Sequence, residues 1–378
     1  MSIFKILKNY FQFLKIPYEN KEFVFYSESK FYRNFFISLI NHLTLKKNKQ
    51  IIFLTSDEDD QLFFKNNKSI KVIYIGKGLI RSFVFINLRC KFMIMTLTDL
   101  DNHLKKSKYC KKYIYFFHSP ASTHLVYTKE AFKNYDIVLC NGNYHIEELK
   151  KTEIKNNYKS KELVKSGYLY FDYLMGEAKH KSSNKNTILF APSWNYNSKN
   201  LFDDYGFKII DLLLKNDLKV ILRPHPEHFK RSKNIINKIK SSFLGDKNFY
   251  FDSFYSNLQS MEKSQILITD NSLIAMEFTL VFQRQAIYIN YSNKVHNKHY
   301  KDLEMITVDE IFRKKFGYTV DAHRIEKISE YCKNIKMYSN LSHDEILNFR
   351  QKYFYNFGKA SDFIANYLID KSENMTND

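Results

Sequence analysis

The sequence predicts an α/β protein made of two domains, each built on a mostly parallel β-sheet. Short apolar runs, typical of buried strands, alternate with helix-length amphipathic segments, which is the pattern of βαβ units. A polar stretch at residues 177–186 interrupts this alternation, which then resumes, so these residues are interpreted as a linker. With 378 residues, the chain is long enough for two domains of ordinary size.

The N-terminal domain is expected at residues 1–176. Its first segment, residues 1–16, has apolar residues at helical spacing with lysines between them. This pattern predicts an amphipathic helix that either packs on its own domain or lies on an anionic membrane surface. Further along, the sequence predicts strands at 23–26, 51–54, 72–75, 92–95, 113–117 and 137–140, and helices at 31–45 and 144–152. This alternation predicts a Rossmann-like domain.

The C-terminal domain is expected at residues 187–342 and repeats the same alternation. Strands are predicted at 188–191, 220–222, 249–251, 266–269 and 286–289, and helices at 205–215, 231–243 and 273–281. A final helix from about 343 to 368 is long enough to cross back over the domain junction, and a frayed polar tail is expected from 370 onward. Residues 343–378 are therefore treated as a separate C-terminal segment.

Composition narrows the functional classes. Lys and Arg number 59 against 40 Asp and Glu, and the net charge of +19 favours an anionic partner such as nucleic acid, lipid or a phosphate-bearing substrate. No helix-turn-helix, zinc-finger or RNP pattern accompanies the charge, so a nucleic-acid partner is not predicted. Four cysteines without C-x-x-C spacing indicate reduced, buried thiols of a cytoplasmic protein. No membrane span or signal peptide is expected either.

Four predicted strands end in polar segments. These segments are His118-Ser-Pro, Ala191-Pro-Ser-Trp, Arg223-Pro-His-Pro and Thr269-Asp-Asn-Ser. Proline after a strand holds the backbone extended, and ligands of open α/β sheets bind at the carboxyl ends of the strands. The four segments therefore predict one ligand cleft.

The residue types in these segments suit phosphate chemistry. Arg223 and the helix start at Asp270, Asn271 and Ser272 can bind a diphosphate, although capping of that helix would explain the last three almost as well. His225 can donate to a phosphate oxygen or protonate a leaving group.

A second group of candidates surrounds this phosphate site. His118 can accept a proton from an attacking hydroxyl. Pro192, Ser193 and Glu277 are candidates for a nucleotide pocket, with a solvated surface role the alternative for Glu277, and Trp194 is interpreted as core packing.

Several cofactors are not predicted. Gly76-Lys-Gly78 lacks the third glycine of a dinucleotide-binding loop, and no Walker-type phosphate loop occurs, so neither NAD nor P-loop ATP binding is expected. Asp99 and Asp101 form the one D-x-D pair considered for a metal, but lysines and a histidine follow them directly. We therefore predict no metal and no other cofactor.

The four segments, in this order and at these separations, resemble the CDP-glycerol glycerophosphotransferases that build teichoic acids and related capsular polymers. The resemblance spans about residues 110–290 and implies a GT-B fold of two facing Rossmann-like domains, with the acceptor side N-terminal and the nucleotide side C-terminal. His118 matches the histidine of the family's H-G-T motif, and His225 matches that of R-P-H-P. Asp270 and Ser272 match a D-x-S-S segment that binds donor phosphate, whereas Leu273 stands where the family usually has a second serine. Ser119-Pro120 replaces the Gly-Thr of the H-G-T motif.

The resemblance also implies a reaction. His118 would act as base toward a hydroxyl of a polysaccharide or lipid-linked acceptor, which attacks the β-phosphorus of a CDP-linked polyol phosphate and expels CMP. His225 and Arg223 would stabilise the diphosphate charge without a metal. The basic surface and N-terminal helix would hold this cytoplasmic enzyme at the inner face of the cell membrane.

Three alternatives remain open at this point. The first is a GT-B glycosyltransferase that uses a nucleotide sugar for capsule or lipopolysaccharide synthesis. The second is a basic nucleic-acid-binding protein, and the third is a noncatalytic scaffold that has kept the fold.

Overall fold

The computed structural model divides the chain into two compact units. It describes residues 3–102, 104–178, 186–196, 199–254, 256–292, 295, 297–339 and 341–375. Unit 1 consists of Met1–Pro120, Tyr127–Gly176 and Tyr353–Asp378, and unit 2 of Ala121–Val126 and Glu177–Lys352. Most of the predicted linker at 177–186 lies outside the described residues.

Unit 1 is built on a seven-stranded sheet. Its strands are β1 (Phe23–Ser27), β2 (Ile51–Thr55), β3 (Ile70–Tyr74), β4 (Cys90–Met95), β5 (Cys110–Phe116), β6 (Ile137–Cys140) and β7 (Glu162–Lys165). They pair in the order β3-β2-β1-β4-β5-β6-β7, and every pair is parallel. The predicted parallel architecture is therefore confirmed. The sequence prediction missed β7, a short strand with little apolar character.

Helices surround this sheet, and they are numbered in order along the whole chain. Those of unit 1 are α1 (Ile3–Leu14), α2 (Arg33–Asn41), α3 (Asp59–Phe63), α4 (Gly78–Ile86), α6 (Asn143–Lys155), α7 (Leu169–Glu177) and α17 (Ala360–Asn374). A 3₁₀ turn spans Tyr18–Lys21, and a π-helical turn at His42–Lys46 continues α2. The core lies between α2, α17 and the sheet, where the Phe36 ring makes edge contacts with Phe25, Phe53 and Phe116 at 4.7–5.8 Å.

Helix α1 packs on unit 1, which is the first of its two predicted roles. Ile6, Tyr10 and Phe13 are buried, and Asn9 Nδ2 donates to the carbonyl of Tyr74 at 3.1 Å. The opposite face of the helix remains apolar and exposed. In the described part of the chain, no helix is both long and apolar enough to cross a membrane.

Unit 2 is built on a six-stranded sheet. Its strands are β8 (Thr187–Phe190), β9 (Lys219–Leu222), β10 (Phe249–Phe251), β11 (Ile266–Thr269), β12 (Ala286–Asn290) and β13 (Tyr318–Asp321). They pair in the order β10-β9-β8-β11-β12-β13, again all parallel. The order of strands reverses between β8 and β11. Strand β13, which has two polar residues in four, was also missed from the sequence.

Helices lie between the strands of unit 2 along the chain. They are α5 (Thr123–Val126), α8 (Leu201–Leu214), α9 (Pro226–Arg231), α10 (Lys233–Phe243), α11 (Leu258–Lys263), α12 (Ile274–Phe282), α13 (Val308–Phe316), α14 (Ile328–Lys333), α15 (Ile335–Tyr338) and α16 (His343–Tyr353), with 3₁₀ turns at Tyr300–Leu303 and Ala322–Lys327. All four cysteines of the two units are free and buried, as predicted, and the sulfurs of Cys90 and Cys110 lie 3.0 Å apart.

The prediction of one helix from 343 to 368 is wrong, because two helices, α16 and α17, occupy this segment. The chain turns between them at Asn356 and Gly358, whose φ angles of +42° and +72° cannot continue a right-handed helix. After the turn, Asp172 accepts the backbone N–H groups of Ala360 and Ser361 and so begins α17. The prediction of a frayed tail from residue 370 onward is also wrong as far as Asn374, because α17 continues to that residue.

Candidate functional site

Two candidate segments of unit 2 meet where its strand order reverses. Ala191–Trp194 leaves the carboxyl end of β8, and Asp270–Ser272 leaves that of the adjacent β11. In an open parallel sheet, this reversal leaves a crevice at the carboxyl ends of the strands, where ligands bind. The topology therefore places these two predicted segments side by side.

A buried carboxylate joins the two segments. Asp270 is 3% exposed; its Oδ1 accepts from the backbone N–H of Ser193 at 2.7 Å, and its Oδ2 accepts from Ser193 Oγ at 2.9 Å. Charge-assisted donors of this kind are what an ionised carboxylate requires when it leaves water. Both oxygens of Asp270 thus hold the two loops together, and its contact with a donor phosphate stays a prediction.

The buried side chain of His228 packs against this connection. His228 has no exposed surface and places its Nε2 3.1 Å from the carbonyl of Ser193 and its Nδ1 3.0 Å from Ser232 Oγ. Burial lowers the pKa of His228. Its ring packs edge-on against Trp194 at 4.9 Å, and Trp194 is nine-tenths buried, which is the packing role interpreted from the sequence.

The three candidates for the nucleotide pocket are all buried. Pro192 and Ser193 are buried in the loop after β8, and Ser193 is 1% exposed. Glu277 is 6% exposed and accepts from Asn257 Nδ2 at 3.4 Å, so it is not the solvated glutamate offered as the alternative. Pro192 and Ser193 belong to the loop after β8 and Glu277 to α12, and their role in a nucleotide pocket stays a prediction.

The start of α12 is organised differently from the capping prediction. Leu273 is the residue at the N-cap, and no side chain of the described structure caps this helix. Asn271 instead donates from Nδ2 to the carbonyl of Ser292 at 2.7 Å and accepts at Oδ1 from Arg313 at 2.9 Å. Ser272 is half-buried beside it. The first backbone N–H groups of α12 are therefore left without a side-chain cap, and such groups can bind an anion.

The R-P-H-P turn follows β9. Arg223 donates from Nη1 to Asp252 Oδ2 at 2.7 Å and to the carbonyl of Ser256 at 3.2 Å, and Asp252 is buried. The positive charge of Arg223 is thus matched by a buried carboxylate. A phosphate-binding role for Arg223 stays a prediction that this ion pair weakens.

His225 occupies the N-cap of α9. Its Nδ1 accepts the backbone N–H of Glu227 at 3.2 Å, and the ring is half-buried. Because Nδ1 is the acceptor, the proton of the neutral ring resides on Nε2. His225 therefore presents an N–H donor, as contact with a phosphate oxygen requires.

His118 lies in unit 1, two residues beyond the end of β5, among aromatic rings. Tyr32, Phe35 and Tyr127 approach its ring edge-on at centroid distances of 5.2, 6.0 and 6.5 Å. Its Nδ1 is buried and has no hydrogen-bond partner within the described residues. Burial lowers the pKa of His118 to about 4. The imidazole is therefore neutral at neutral pH and able to accept a proton.

The turn after β5 is fixed by side-chain donors to its carbonyl groups. Tyr168 Oη donates to the carbonyl of His118 at 3.2 Å, and Asn141 Nδ2 donates to that of Ser119 at 3.0 Å. Tyr144 Oη donates to the carbonyl of Pro120 at 2.7 Å. This clamp holds the backbone of the turn although its Ser-Pro departs from the Gly-Thr of the family motif.

Sequence reasoning missed Arg313, which lies next to the phosphate candidates. It projects from α13 with its guanidinium carbon 4.8 Å from the ring centroid of Tyr288. Its Nη1 donates to Asn271 Oδ1, and its Nη2 donates to Asn290 Oδ1 at 2.5 Å. In the sequence, Arg313 precedes two lysines in an amphipathic helix and looks like part of a solvated face, so no local signal identifies it.

The weak metal candidates are occupied by turn contacts. Asp101 Oδ1 accepts the backbone N–H of Lys106 at 2.6 Å, and Asp99 Oδ1 accepts from Thr128 Oγ1 at 3.1 Å. Within the described ranges, no three His, Cys, Asp or Glu side chains are grouped so that they could hold a metal ion.

Comparison with solved structures identifies the fold. The structure of the wall teichoic acid polymerase TagF is similar to this chain, with a TM-score of 0.67 and 16% sequence identity. The similarity covers 99% of this chain and 95% of the TagF chain. The chain has a GT-B fold. The resemblance found in the sequence is thus confirmed at the level of the fold, together with the predicted fold class.

The GT-B chain is also similar to another kind of enzyme. The UDP-GlcNAc 2-epimerase of Methanocaldococcus jannaschii, solved in complex with UDP-GlcNAc and UDP, has a TM-score of 0.58. Its sequence identity is 12%, over 92% of this chain and 99% of that one. No protein-family model and no curated protein matches the sequence.

Proposed function

We propose that this protein is a transferase that moves glycerol phosphate, or a similar polyol phosphate, from a CDP-linked donor to a hydroxyl of a cell-surface polymer or lipid-linked acceptor. The observation that carries the proposal is the neutral, desolvated imidazole of His118 beyond the end of β5. The whole-chain likeness to TagF supports it, since a histidine-to-asparagine variant of that polymerase was solved after soaking with CDPG.

Unit 2 has features that suit a nucleoside diphosphate. The uncapped start of α12 offers backbone N–H groups and the positive end of a helix dipole, and the loop after β8 is held beside it by Asp270. His225 adds an Nε2–H donor. These hydrogen-bond donors and the positive end of the helix dipole are of the type that stabilises charge on a leaving phosphate.

His118 serves the acceptor in this proposal. As the acceptor hydroxyl forms a bond to the β-phosphorus, its proton passes to the imidazole. The bond from the β-phosphorus to the bridging oxygen breaks, and CMP leaves with that oxygen and its electron pair. His225 stabilises the charge that develops on the departing phosphate.

The experiment compares two histidine variants. His118→Ala should lower the single-turnover rate by about 10²- to 10⁴-fold and leave donor binding unchanged, because a base acting on the acceptor proton does not touch the donor. His225→Ala should weaken donor binding as well as turnover. His323→Ala, an exposed site of unit 2, is the matched control and should behave as the native protein.

Melting curves on all three variants separate loss of chemistry from loss of fold. If His118→Ala loses donor affinity while His225→Ala keeps it, the two histidines have been given the wrong roles.

A nucleotide-sugar transferase is the second candidate, and the likeness to an epimerase that binds UDP-GlcNAc favours it. The two functions differ in what the native protein releases. CMP formed from CDP-glycerol or CDP-ribitol supports the first candidate, whereas UDP formed from a nucleotide sugar, with no turnover of CDP-polyols, supports the second.

We also propose that the protein works at the inner face of the cell membrane, held there by an apolar surface of unit 1. The surface combines one face of α1 with one face of α4, which meet where the rings of Tyr10 and Phe83 lie 6.3 Å apart. Its exposed residues are Phe4, Phe11 and Leu14 on α1 and Leu79, Phe83 and Ile86 on α4. Phe4 is 85% exposed and Leu79 is 89% exposed. Exposing such apolar side chains to water is unfavourable unless a membrane or a partner covers them.

Basic residues accompany this surface, since Lys8 is exposed on α1 and Lys15 is exposed directly after it. Lysines near an anionic bilayer contribute about 1 kcal/mol each, added to the burial of the apolar side chains. Co-sedimentation with anionic vesicles should therefore fall for Phe4→Ser and Leu79→Ser. It should be unchanged for Met337→Ser, an 81% exposed residue of unit 2. Equal co-sedimentation of all four proteins would contradict this surface.

A further inference from the structure

We propose that Arg313 is the side chain that binds the diphosphate of the donor, and that Arg223 of the R-P-H-P turn is not. The proposal rests on the proposed function, because it assumes that unit 2 binds a nucleoside diphosphate. It assigns the main cationic contact to a residue outside the sequence motifs.

The position of Arg313 is the first observation. Its guanidinium bridges Asn271, two residues beyond the end of β11, and Asn290, the last residue of β12. It therefore lies at the carboxyl edge of the sheet, beside the start of α12. A phosphate bound by the N–H groups of that helix would lie within reach of the same guanidinium.

Charge pairing separates Arg313 from the other arginines of this region. Arg223 is neutralised by buried Asp252, and Arg284 donates to backbone carbonyls of residues 261–264. Within the described chain, Arg313 contacts two amide oxygens and the face of Tyr288 and forms no direct ion pair, although the charge of Asp270 lies close enough to act on it. Amide oxygens accept hydrogen bonds but carry no charge to balance the guanidinium.

This arrangement is costly without an anion. Arg313 is half-buried, and burial lowers its pKa more than the nearby Tyr288 and Asp270 raise it, because removing a cation from water is unfavourable unless its charge is balanced. An anionic ligand at the edge of the sheet would add the charge that Asp270, already bonded to Ser193, supplies only in part.

The contacts of Arg313 also leave it able to bind. Its two recorded hydrogen bonds, to Asn271 and Asn290, use only part of the donor capacity of a guanidinium, which carries five N–H groups. The ring of Tyr288 supports one face of the guanidinium and fixes its plane. The remaining donors of a plane held in this way suit bidentate contact with phosphate oxygens.

The test measures equilibrium binding of CMP and CDP, which differ by one phosphate. The native protein is compared with Arg313→Gln, Arg313→Lys and the control Lys314→Gln, which removes an exposed charge from the next position of the same helix. Arg313→Gln should weaken CDP binding about tenfold to a hundredfold, as expected for a charge-assisted contact, and CMP binding by less. Arg313→Lys should recover part of the loss, and Lys314→Gln should match the native protein.

Native-like CDP affinity of a folded Arg313→Gln protein would overturn the role of Arg313 while leaving the proposed function intact. If the native protein binds UDP but not CDP, and Arg313→Gln weakens UDP, the role of Arg313 is supported and the CDP donor is refuted. A native protein that binds neither CDP nor UDP would overturn both. Should Arg313→Gln fail to fold, Arg313→Lys decides: weakened CDP binding with unchanged CMP binding supports the proposal, and native-like CDP binding overturns it.

Discussion

Replacing Asp270 by asparagine should destabilise unit 2, because the carboxylate holds two loops together. Both carboxylate oxygens accept from Ser193, one from the backbone and one from the hydroxyl, in a site where Asp270 is 3% exposed. An asparagine keeps one acceptor but presents an NH₂ group where the second donor arrives. Hydrogen bonds to a buried charge contribute about 1.5–3 kcal/mol each, so we expect a loss of about 3 kcal/mol. For a unit of this size, that corresponds to a fall in Tm of about 6–12 °C.

Ser193→Ala should cost less, about 1–2 kcal/mol, because the backbone donor remains and only the hydroxyl is lost. Asp211→Asn is the matched control, since Asp211 only pairs with Lys215 on an exposed helical face and should change stability by less than about 0.5 kcal/mol. Urea and thermal unfolding of the three variants and the double variant measure these energies and their coupling. A stable Asp270→Asn protein that has lost nucleotide binding would refute the reasoning, because Asp270 would then contact the ligand directly.

Three further outcomes are expected. The free energy of unfolding should fall as the pH drops from about 6.5 toward about 4. In this range His118 takes up a proton in the unfolded chain but not in the folded protein, where burial lowers its pKa to about 4. The loss is up to about 3 kcal/mol, and His118→Asn should flatten the profile. Asp172→Ala should lower the Tm by a few degrees, since it removes the acceptor for the first N–H groups of α17, and unchanged melting would contradict that role. Activity should survive EDTA; loss that Mg²⁺ restores would instead point to Asp99 and Asp101.

Much of the fold could be predicted because the strands are buried on both faces and form continuous apolar runs. Strands β6, β10 and β11 have the bounds expected from the sequence. The missed strands, β7 and β13, lie at the edges of their sheets, and each has two polar residues among only four. The division of residues 343–368 into two helices has a local signal that the prediction overlooked, the Asn356-Phe-Gly358 turn, whereas the contact of Asp172 with the start of α17 has none.

The candidate site was predictable where polar, reactive side chains directly follow a predicted strand. The turns containing His118, His225 and Asp270 were found in this way, but their partners were not. Ser193 pairs with Asp270 across 77 positions, and Arg313 reaches Asn271 from a helix 42 positions away. Such pairs are fixed by the packing of the sheet, so a single sequence cannot show whether a charge faces a ligand or a neighbouring carboxylate.

The late position of α17 in the chain has a consequence for how the protein is made. Ile364, Ala365 and Leu368 belong to the core of unit 1, yet the ribosome adds them only after it has completed unit 2. At typical synthesis rates of about 5–20 residues per second, the rest of unit 1 therefore waits on the order of 10–35 s with one wall of its core uncovered. During that interval, the apolar surface around Phe36 is open to aggregation or to a chaperone. Interruption of translation anywhere in unit 2 would release an N-terminal half that lacks this final helix.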